Sequence, residues 1–278
     1  MQQLNKPTLF NLLGKQMAKP LSQLILSNPL KTKIRVVEAY IAFLQGKGAG
    51  TGWDLLEEVK AAKNFIYREQ PIIFDIGANK GVWSKYLLQL IPTSKIYLFE
   101  PSKGCQEEIR KLNLPNTLLL PLAVGQKKSQ GILYSPSPTA GIASLHKRRD
   151  SYFQQETFSE FEVSITTIDD VVREYSIDFV DFMKMDIEGN EFDALKGASQ
   201  TLLDKKIGAF SFEFGSGNIN SRTFFHDFWD LLNQNSYKIY RITPGGQLLD
   251  INEYYEDLEY FRGVSNYLAI LKQHPYAT

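Results

Sequence analysis

The sequence predicts an α/β fold built on a mostly parallel sheet and preceded by a helical extension. Three observations carry this. From Pro71 onward short apolar runs alternate with helical patterns, the texture of a parallel sheet with crossover helices. Before Pro71, Ile34, Val37, Tyr40, Ile41 and Leu44 recur at helical spacing. After the first apolar run comes a glycine-bearing turn, Gly77 to Gly81, where the backbone can reverse sharply and approach a ligand without a Cβ in the way.

Taken in order, residues 1–68 read as a helical extension packed on the main domain, with a break at GKGAGTG, Gly46 to Gly52. Residues 69–278 form the α/β domain. Within the extension, the apolar pieces Leu9 to Leu13 and Leu21 to Leu26 are too short for a signal core or a membrane span. The expected strands are Ile72 to Asp75, Lys95 to Glu100, Thr117 to Pro121, Phe179 to Asp186, Gly208 to Glu213, Tyr237 to Ile242 and Asn266 to Leu271. Helices are expected at Val82 to Leu90, Gly104 to Leu112, Val171 to Tyr175, Glu191 to Lys196 and Thr223 to Asn235. The stretch Gly125 to Ile168, with YSPSPTAGIASLHKRRD inside it, reads as a long loop: a lid or binding segment, or a solvated excursion.

Composition narrows the function classes. A 278-residue chain with 43% hydrophobic residues can bury a substantial core. Its 31 basic and 31 acidic residues leave no net charge, which argues against nucleic acid as the main partner. The single cysteine, Cys105, allows neither an intrachain disulfide nor a cysteine-based zinc site and suits a reducing, cytoplasmic setting. No membrane span is expected.

The run IIFDIGANKG ends a strand in a turn that resembles the dinucleotide fingerprint but lacks its G-x-G-x-x-G spacing, which argues against an NAD-dependent or nucleotide-sugar oxidoreductase. A carboxylate such as Asp75 suits a cofactor carrying an amino-acid moiety. The next strand ends YLFEP, placing Glu100, with Pro101 beside it, where an acid accepts hydrogen bonds from both ribose hydroxyls. Either acid alone would equally serve as a helix cap or a surface charge.

Further along, MKMDIEGNE sets Asp186 and Glu188 at the carboxyl end of a strand, beside the crevice expected in an open α/β sheet. Glu213 ends the neighbouring strand. Three such carboxylates are a candidate all-oxygen Mg²⁺ site, with helix capping as the alternative. Lys184 reads as a charge-balancing partner. His146 and His226 are candidate bases, each weighed against a structural role, and Lys147-Arg148-Arg149 reads first as a solvated charge run. Tyr254, Tyr255 and Tyr260 are candidate acceptor-pocket residues or surface packing.

Together FDIGANKG, YLFEPS, PLAVG, ITTIDD and VDFMKMDIEGNEFDALKGA, in that order between Pro71 and Leu271, resemble the FkbM-type methyltransferases. The resemblance implies a class I methyltransferase (Rossmann-like) sheet of seven strands, mostly parallel with an antiparallel last strand, and S-adenosyl-L-methionine as cofactor. It implies that Asp75, Gly77, Asn79 and Gly81 surround the methionine part, that Glu100 holds the ribose, and that Leu122, Ala123 and Val124 flank the adenine. The expected reaction is O-methylation of a small-molecule, natural-product or glycan hydroxyl, with Asp186 acting at the acceptor and near the cofactor, and Glu188 and His146 as further catalytic candidates. An N-methyltransferase and a non-catalytic nucleotide-binding domain are the alternatives. The N-terminal helices cover the cofactor, shape the acceptor pocket, or pair two copies into a homo-oligomer.

Overall fold

A computed structural model of the chain describes residues 20, 22–23, 28–50, 55–149 and 155–274. The expected helicity of residues 1–19, and the apolar piece Leu9 to Leu13 within them, lie outside the described residues, as does most of Leu21 to Leu26. Helices α1 (Asn28–Leu44) and α2 (Leu55–Lys63) precede the sheet.

The main sheet has eight strands in the order β10-β9-β11-β8-β7-β1-β2-β3. Five of them run parallel: β1 (Ile72–Ile76), β2 (Lys95–Phe99), β3 (Thr117–Leu120), β7 (Val180–Met185) and β8 (Ile207–Gly215). β11 (Val264–Leu271) lies antiparallel between β8 and β9 (Tyr237–Ile242), as a Rossmann-like methyltransferase sheet requires. The chain crosses between β1 and β7, so the sheet has its topological switch there, and a crevice opens at the carboxyl ends of those strands. β7 is buried along its whole length, so its apolar run is continuous rather than alternating.

Two parts of the expectation are corrected. The seven expected strands are joined by an eighth, β10 (Leu248–Ile251), which pairs with β9 across the Pro244-Gly245-Gly246 turn. Four residues at a sheet edge are too short a signal to stand out in a sequence. The stretch Gly125 to Ile168 is also more than a loop. It carries β5 (Ser129–Ser135) and β6 (Ser159–Thr166), which join β4 (Ala123–Val124) in a separate sheet of order β4-β6-β5. Leu133, Val163 and Ala123 bury there against Leu145 and Ile165, while the polar residues between them face outward and mask the pattern.

Each face of the main sheet carries its own core. On one, Phe74, Tyr97, Met183, Phe210 and Phe212 pack under α5 (Ile168–Glu174), α6 (Glu191–Lys196), α7 (Ser199–Leu203) and α9 (Phe225–Gln234). On the other, Ile73, Leu98, Phe182 and Leu268 meet Trp83 and Leu87 of α3 (Val82–Leu90) and Val59 and Ala62 of α2. Helix α2 thus contributes Val59 and Ala62 to this core. Helix α1 differs. Its spacing is helical as expected, but Ile34, Val37, Tyr40, Ile41 and Leu44 are all exposed, so the expected packing of that apolar stripe is absent. Its carboxyl end is tied down by the Arg262–Glu38 ion pair and by Arg241 Nε, which donates to the Gln45 carbonyl at 2.7 Å. Among the described residues no helix is long and apolar enough to cross a membrane.

Candidate active site

The turn after β1 is held by backbone geometry. Gly77 and Gly81 have φ of 79° and 72°, and Asn79, a residue that tolerates the left-handed region, has 49°. The Gly77 and Ala78 N–H groups both donate to the Phe99 carbonyl at 3.0 Å, which fixes the turn to the end of β2. A Cβ at Gly77 would overlap the Asp186 carbonyl oxygen, so the turn also packs directly on the end of β7.

Against this turn lies a cleft whose roughly 540 Å³ of empty space includes space open to solvent. Gly77, Asn79, Glu100 and Pro101 form its polar side, Leu122, Ala123 and Val124 an apolar wall, and Asp186, Ile187 and Asn190 its far end. Glu100 accepts from the N–H groups of Asn79 at 2.8 Å and Ser102 at 2.7 Å. Burial pushes its carboxyl up to about 7 against the pull of those two donors.

The segment between β5 and β6 roofs the cavity through Ala140, Gly141, Ala143 and Leu145, which favours the lid reading over the solvated excursion. It is fastened at both sides. Ser102 Oγ donates to the Pro138 carbonyl, and Ser144 Oγ donates to the Glu188 carbonyl at 2.9 Å. His146 Nε2 lies 3.1 Å from Asn190 Oδ1, and Asn190 Nδ2 donates to the Val124 carbonyl at 2.8 Å. Arg148, buried rather than solvated, pairs with Glu188 and donates to Ser216 Oγ at 3.1 Å.

Of the expected cofactor residues, Gly77, Asn79, Glu100, Pro101, Ala123 and Asp186 therefore line one cavity. Asp75 and Gly81 do not. Asp75 is fully buried beneath the turn, where its Oδ2 accepts from Ser84 Oγ at 2.6 Å, and Gly81 caps α3 against Ile109 and Leu112. His146 lies in the roof and is engaged with Asn190, while His226 packs edge-on to Tyr254. The expected Mg²⁺ site at Asp186, Glu188 and Glu213 is also corrected. Among the described residues no group of three or more His, Cys, Asp or Glu side chains is arranged to hold a metal ion. Glu188 is taken by Arg148 and Asp186 by Lys184, so the three do not converge on one point.

Beyond Asp186 is a second, smaller recess, with room for about one water. It is lined by Glu58, Lys184, Asp186, Ser211, Glu213 and Asn266, with Met185, Phe212 and Ile242 as its apolar parts. Lys184 Nζ stands 3.1 Å from Asp186 Oδ2 and 3.9 Å from Asp75 Oδ1. Burial opposes its charge, but Asp186, Asp75 and Glu58 outweigh that and raise its pKa. Burial pushes Glu58 up to about 7, and burial with the nearby Asp186 and Glu188 charges raises Glu213 well above the usual carboxylate range.

The sequence reading missed Glu58, Asn190 and Asn266. For Glu58 a signal existed: it stands in the stripe of Leu55, Val59 and Ala62, and an acid inside an apolar helical stripe needs a reason. It missed Glu191 as well, whose carboxylate accepts from the Ile187 N–H at 3.0 Å and the Gly189 N–H at 3.0 Å, bracing the bend after β7.

Residues 75–239 match the family model described as the methyltransferase FkbM domain. The chain is 27% identical to the methyltransferase sdnD of Sordaria araneosa, the match covering 51% of this chain and 71% of that one. It is 28% identical to the 2-O-methyltransferase NoeI of Sinorhizobium fredii, over 50% of this chain and 62% of that one. A crystal structure of the methyltransferase FkbM from Methylobacillus flagellatus aligns with a TM-score of 0.44 at 15% identity, covering 85% of this chain and 59% of that one.

Proposed function

Given that the chain belongs to the FkbM family of S-adenosylmethionine-dependent methyltransferases, we propose that it methylates a hydroxyl of a small molecule or glycan, with Asp186 between cofactor and acceptor. The carrying observation is that Asp186 lines both cavities, the larger on one side and the smaller on the other. A relative named as a 2-O-methyltransferase supports oxygen over nitrogen as the atom methylated.

The larger cavity suits S-adenosylmethionine by the chemistry of its walls. Glu100 offers a carboxylate to ribose hydroxyls, Asn79 and Asp186 offer polar groups to the amino-acid end, and Leu122, Ala123 and Val124 offer an apolar slot for a flat base. Bound there, the cofactor supplies a methyl group on a positively charged sulfur, open to in-line displacement. The rest falls to this chain. The roof from Ala140 to Leu145 covers part of the crevice and limits its contact with water. The Asp186 carboxylate, half-buried and paired with Lys184, stands ready to accept the proton an alcohol loses on attack. Lys184 holds Asp186 in place while balancing the buried Asp75 beneath it.

Calorimetric titration with S-adenosylhomocysteine, with NAD in a parallel cell, tests this reading. Saturable binding of S-adenosylhomocysteine alone is expected. Binding of NAD alone, or of neither, would overturn it. In the same assay Asp186→Asn is expected to leave S-adenosylhomocysteine affinity within about threefold, because the isosteric amide keeps a polar group at the cofactor's amino-acid end and loses only the charge that takes the acceptor proton.

A further inference from the structure

Helix α1 turns its apolar side to solvent. Val36, Val37, Tyr40, Phe43 and Leu44, spaced three and four residues apart, share one face of the helix and are 40–64% exposed, far from core burial. Glu38, Ala42 and Gln45 mark the opposite face, which is the one seated on the domain. Ala42 is buried, Glu38 pairs with Arg262, and the Gln45 carbonyl accepts from Arg241 Nε. The apolar face therefore points away from the chain's own core. Its seat is at the crevice edge of the sheet: Arg262 stands two residues before β11, whose first residue pairs with Gly215 at the carboxyl end of β8.

Charge is spread unevenly along the chain. The first 37 residues hold six basic side chains, Lys6, Lys15, Lys19, Lys31, Lys33 and Arg35, and no acid, which leaves 25 basic and 31 acidic residues in the rest. Lys31, Lys33 and Arg35 are exposed on the first two turns of α1. An exposed apolar face beside cations, with no anion among them, is the pattern of a helix that lies in the interface of an anionic bilayer.

We propose that α1 docks the protein on an anionic bilayer surface, with Val36, Val37, Tyr40, Phe43 and Leu44 entering the interface and Lys31, Lys33 and Arg35 meeting lipid phosphates. The aliphatic side chains enter the acyl boundary, Tyr40 keeps its hydroxyl at headgroup level, and the long basic side chains reach back to the phosphates. The helix lies on the bilayer rather than across it, since no helix among the described residues is long and apolar enough to span. Because α1 is seated at the crevice edge, docking brings that edge to the surface. Charge favours this occupant over the two that the chain itself supplies. A second copy would set one acid-free basic stretch against another, and residues 1–27, basic themselves, would do the same by folding over α1. The proposal does not depend on which molecule is methylated.

The test is co-sedimentation of the full chain with vesicles of phosphatidylcholine alone and of phosphatidylcholine mixed with phosphatidylglycerol. Binding to the mixed vesicles is expected to be at least about tenfold tighter and to weaken as salt rises. Lys31→Glu combined with Lys33→Glu should weaken it at least about tenfold by reversing two charges. Tyr40→Ser combined with Leu44→Ser should do the same by removing apolar contact. The thermal unfolding midpoint should be the same in all three proteins, because the substituted side chains stand in solvent. No binding to mixed vesicles, equal binding to the two compositions, or binding unchanged in either double variant would overturn the proposal. A dimer that Tyr40→Ser with Leu44→Ser dissociates, in a chain that ignores vesicles, would assign the face to a second copy. A lowered midpoint in that variant would assign it to cover by residues 1–27, and either result overturns docking on a bilayer.

Discussion

The two cavities on either side of Asp186 are built by different means. The larger depends on backbone: left-handed residues at 77, 79 and 81, two N–H groups tied to Phe99, and two more held by Glu100. The smaller depends on side chains from α2, β7, β8 and β11 meeting at a distance in sequence. A site made by backbone constrains which residues are allowed locally, whereas a site made by convergent side chains leaves each contributor free to look ordinary in its own segment. Their weaknesses should differ accordingly.

The largest effect is expected from Lys184→Met. It removes the cation between Asp75, Asp186 and Glu58, and stripping one partner from a buried charge group costs about 3–5 kcal/mol. Urea unfolding checks this, and a loss under about 1 kcal/mol would mean the carboxylates are solvated or protonated already.

Gly77→Ala is the backbone counterpart. The new Cβ would overlap the Asp186 carbonyl in a left-handed conformation, at an expected cost of about 2–4 kcal/mol. Gly245→Ala is the control, because Gly245 has φ of 82° with open space around it, and only the conformational cost of about 1 kcal/mol applies. Equal losses at the two positions would show that close packing of the turn on β7 contributes nothing.

A third contrast is electrostatic and smaller. The free Glu100 carboxyl titrates near 7, and ribose hydroxyls bind its ionised form, so S-adenosylhomocysteine affinity should decline as pH falls from 8 to 6. The decline should vanish in Glu100→Gln. A pH profile that is unchanged in the variant would assign the titration to another group.

A further electrostatic contrast concerns Glu58. Its folded pKa is raised, so burying it stabilises the fold fully below the unfolded value near 4.5, and this contribution is lost as pH rises through about 7. Wild-type unfolding free energy should therefore fall more steeply than that of Glu58→Gln between pH 5 and 8. Parallel slopes would mean that Glu58 is solvated in the folded chain.

Much of the first cavity was legible because its residues sit in short contiguous runs. Gly77, Asn79 and Glu100 belong to a turn and a strand end whose geometry restricts the residue types allowed, and Val82–Leu90 and Glu191–Lys196 form helices over the residues expected. Asp75 was read correctly as unusual but misplaced: the strand's alternation points it under the turn, toward Ser84 and Lys184, rather than into the cavity. The strands of the insertion were hidden because only one face of β5 and β6 is apolar and the sheet they form is small. Glu58, Glu213 and Asn266 share a site only through the fold. No spacing rule relates a helix at residue 58 to a strand at residue 266, and β11 reaches its place by inserting between β8 and β9.

Division of labour at Asp186 is the central claim, and titration of S-adenosylhomocysteine into three proteins tests it most directly: wild type, Glu100→Ala and Glu213→Gln. Loss of a buried, charged hydrogen-bonding partner is worth about 1.5–3 kcal/mol, so Glu100→Ala should weaken binding by about one to two orders of magnitude. Glu213→Gln should leave it within twofold. Comparable losses in both variants, or an unchanged affinity in Glu100→Ala, would contradict the assignment of the larger cavity to the cofactor.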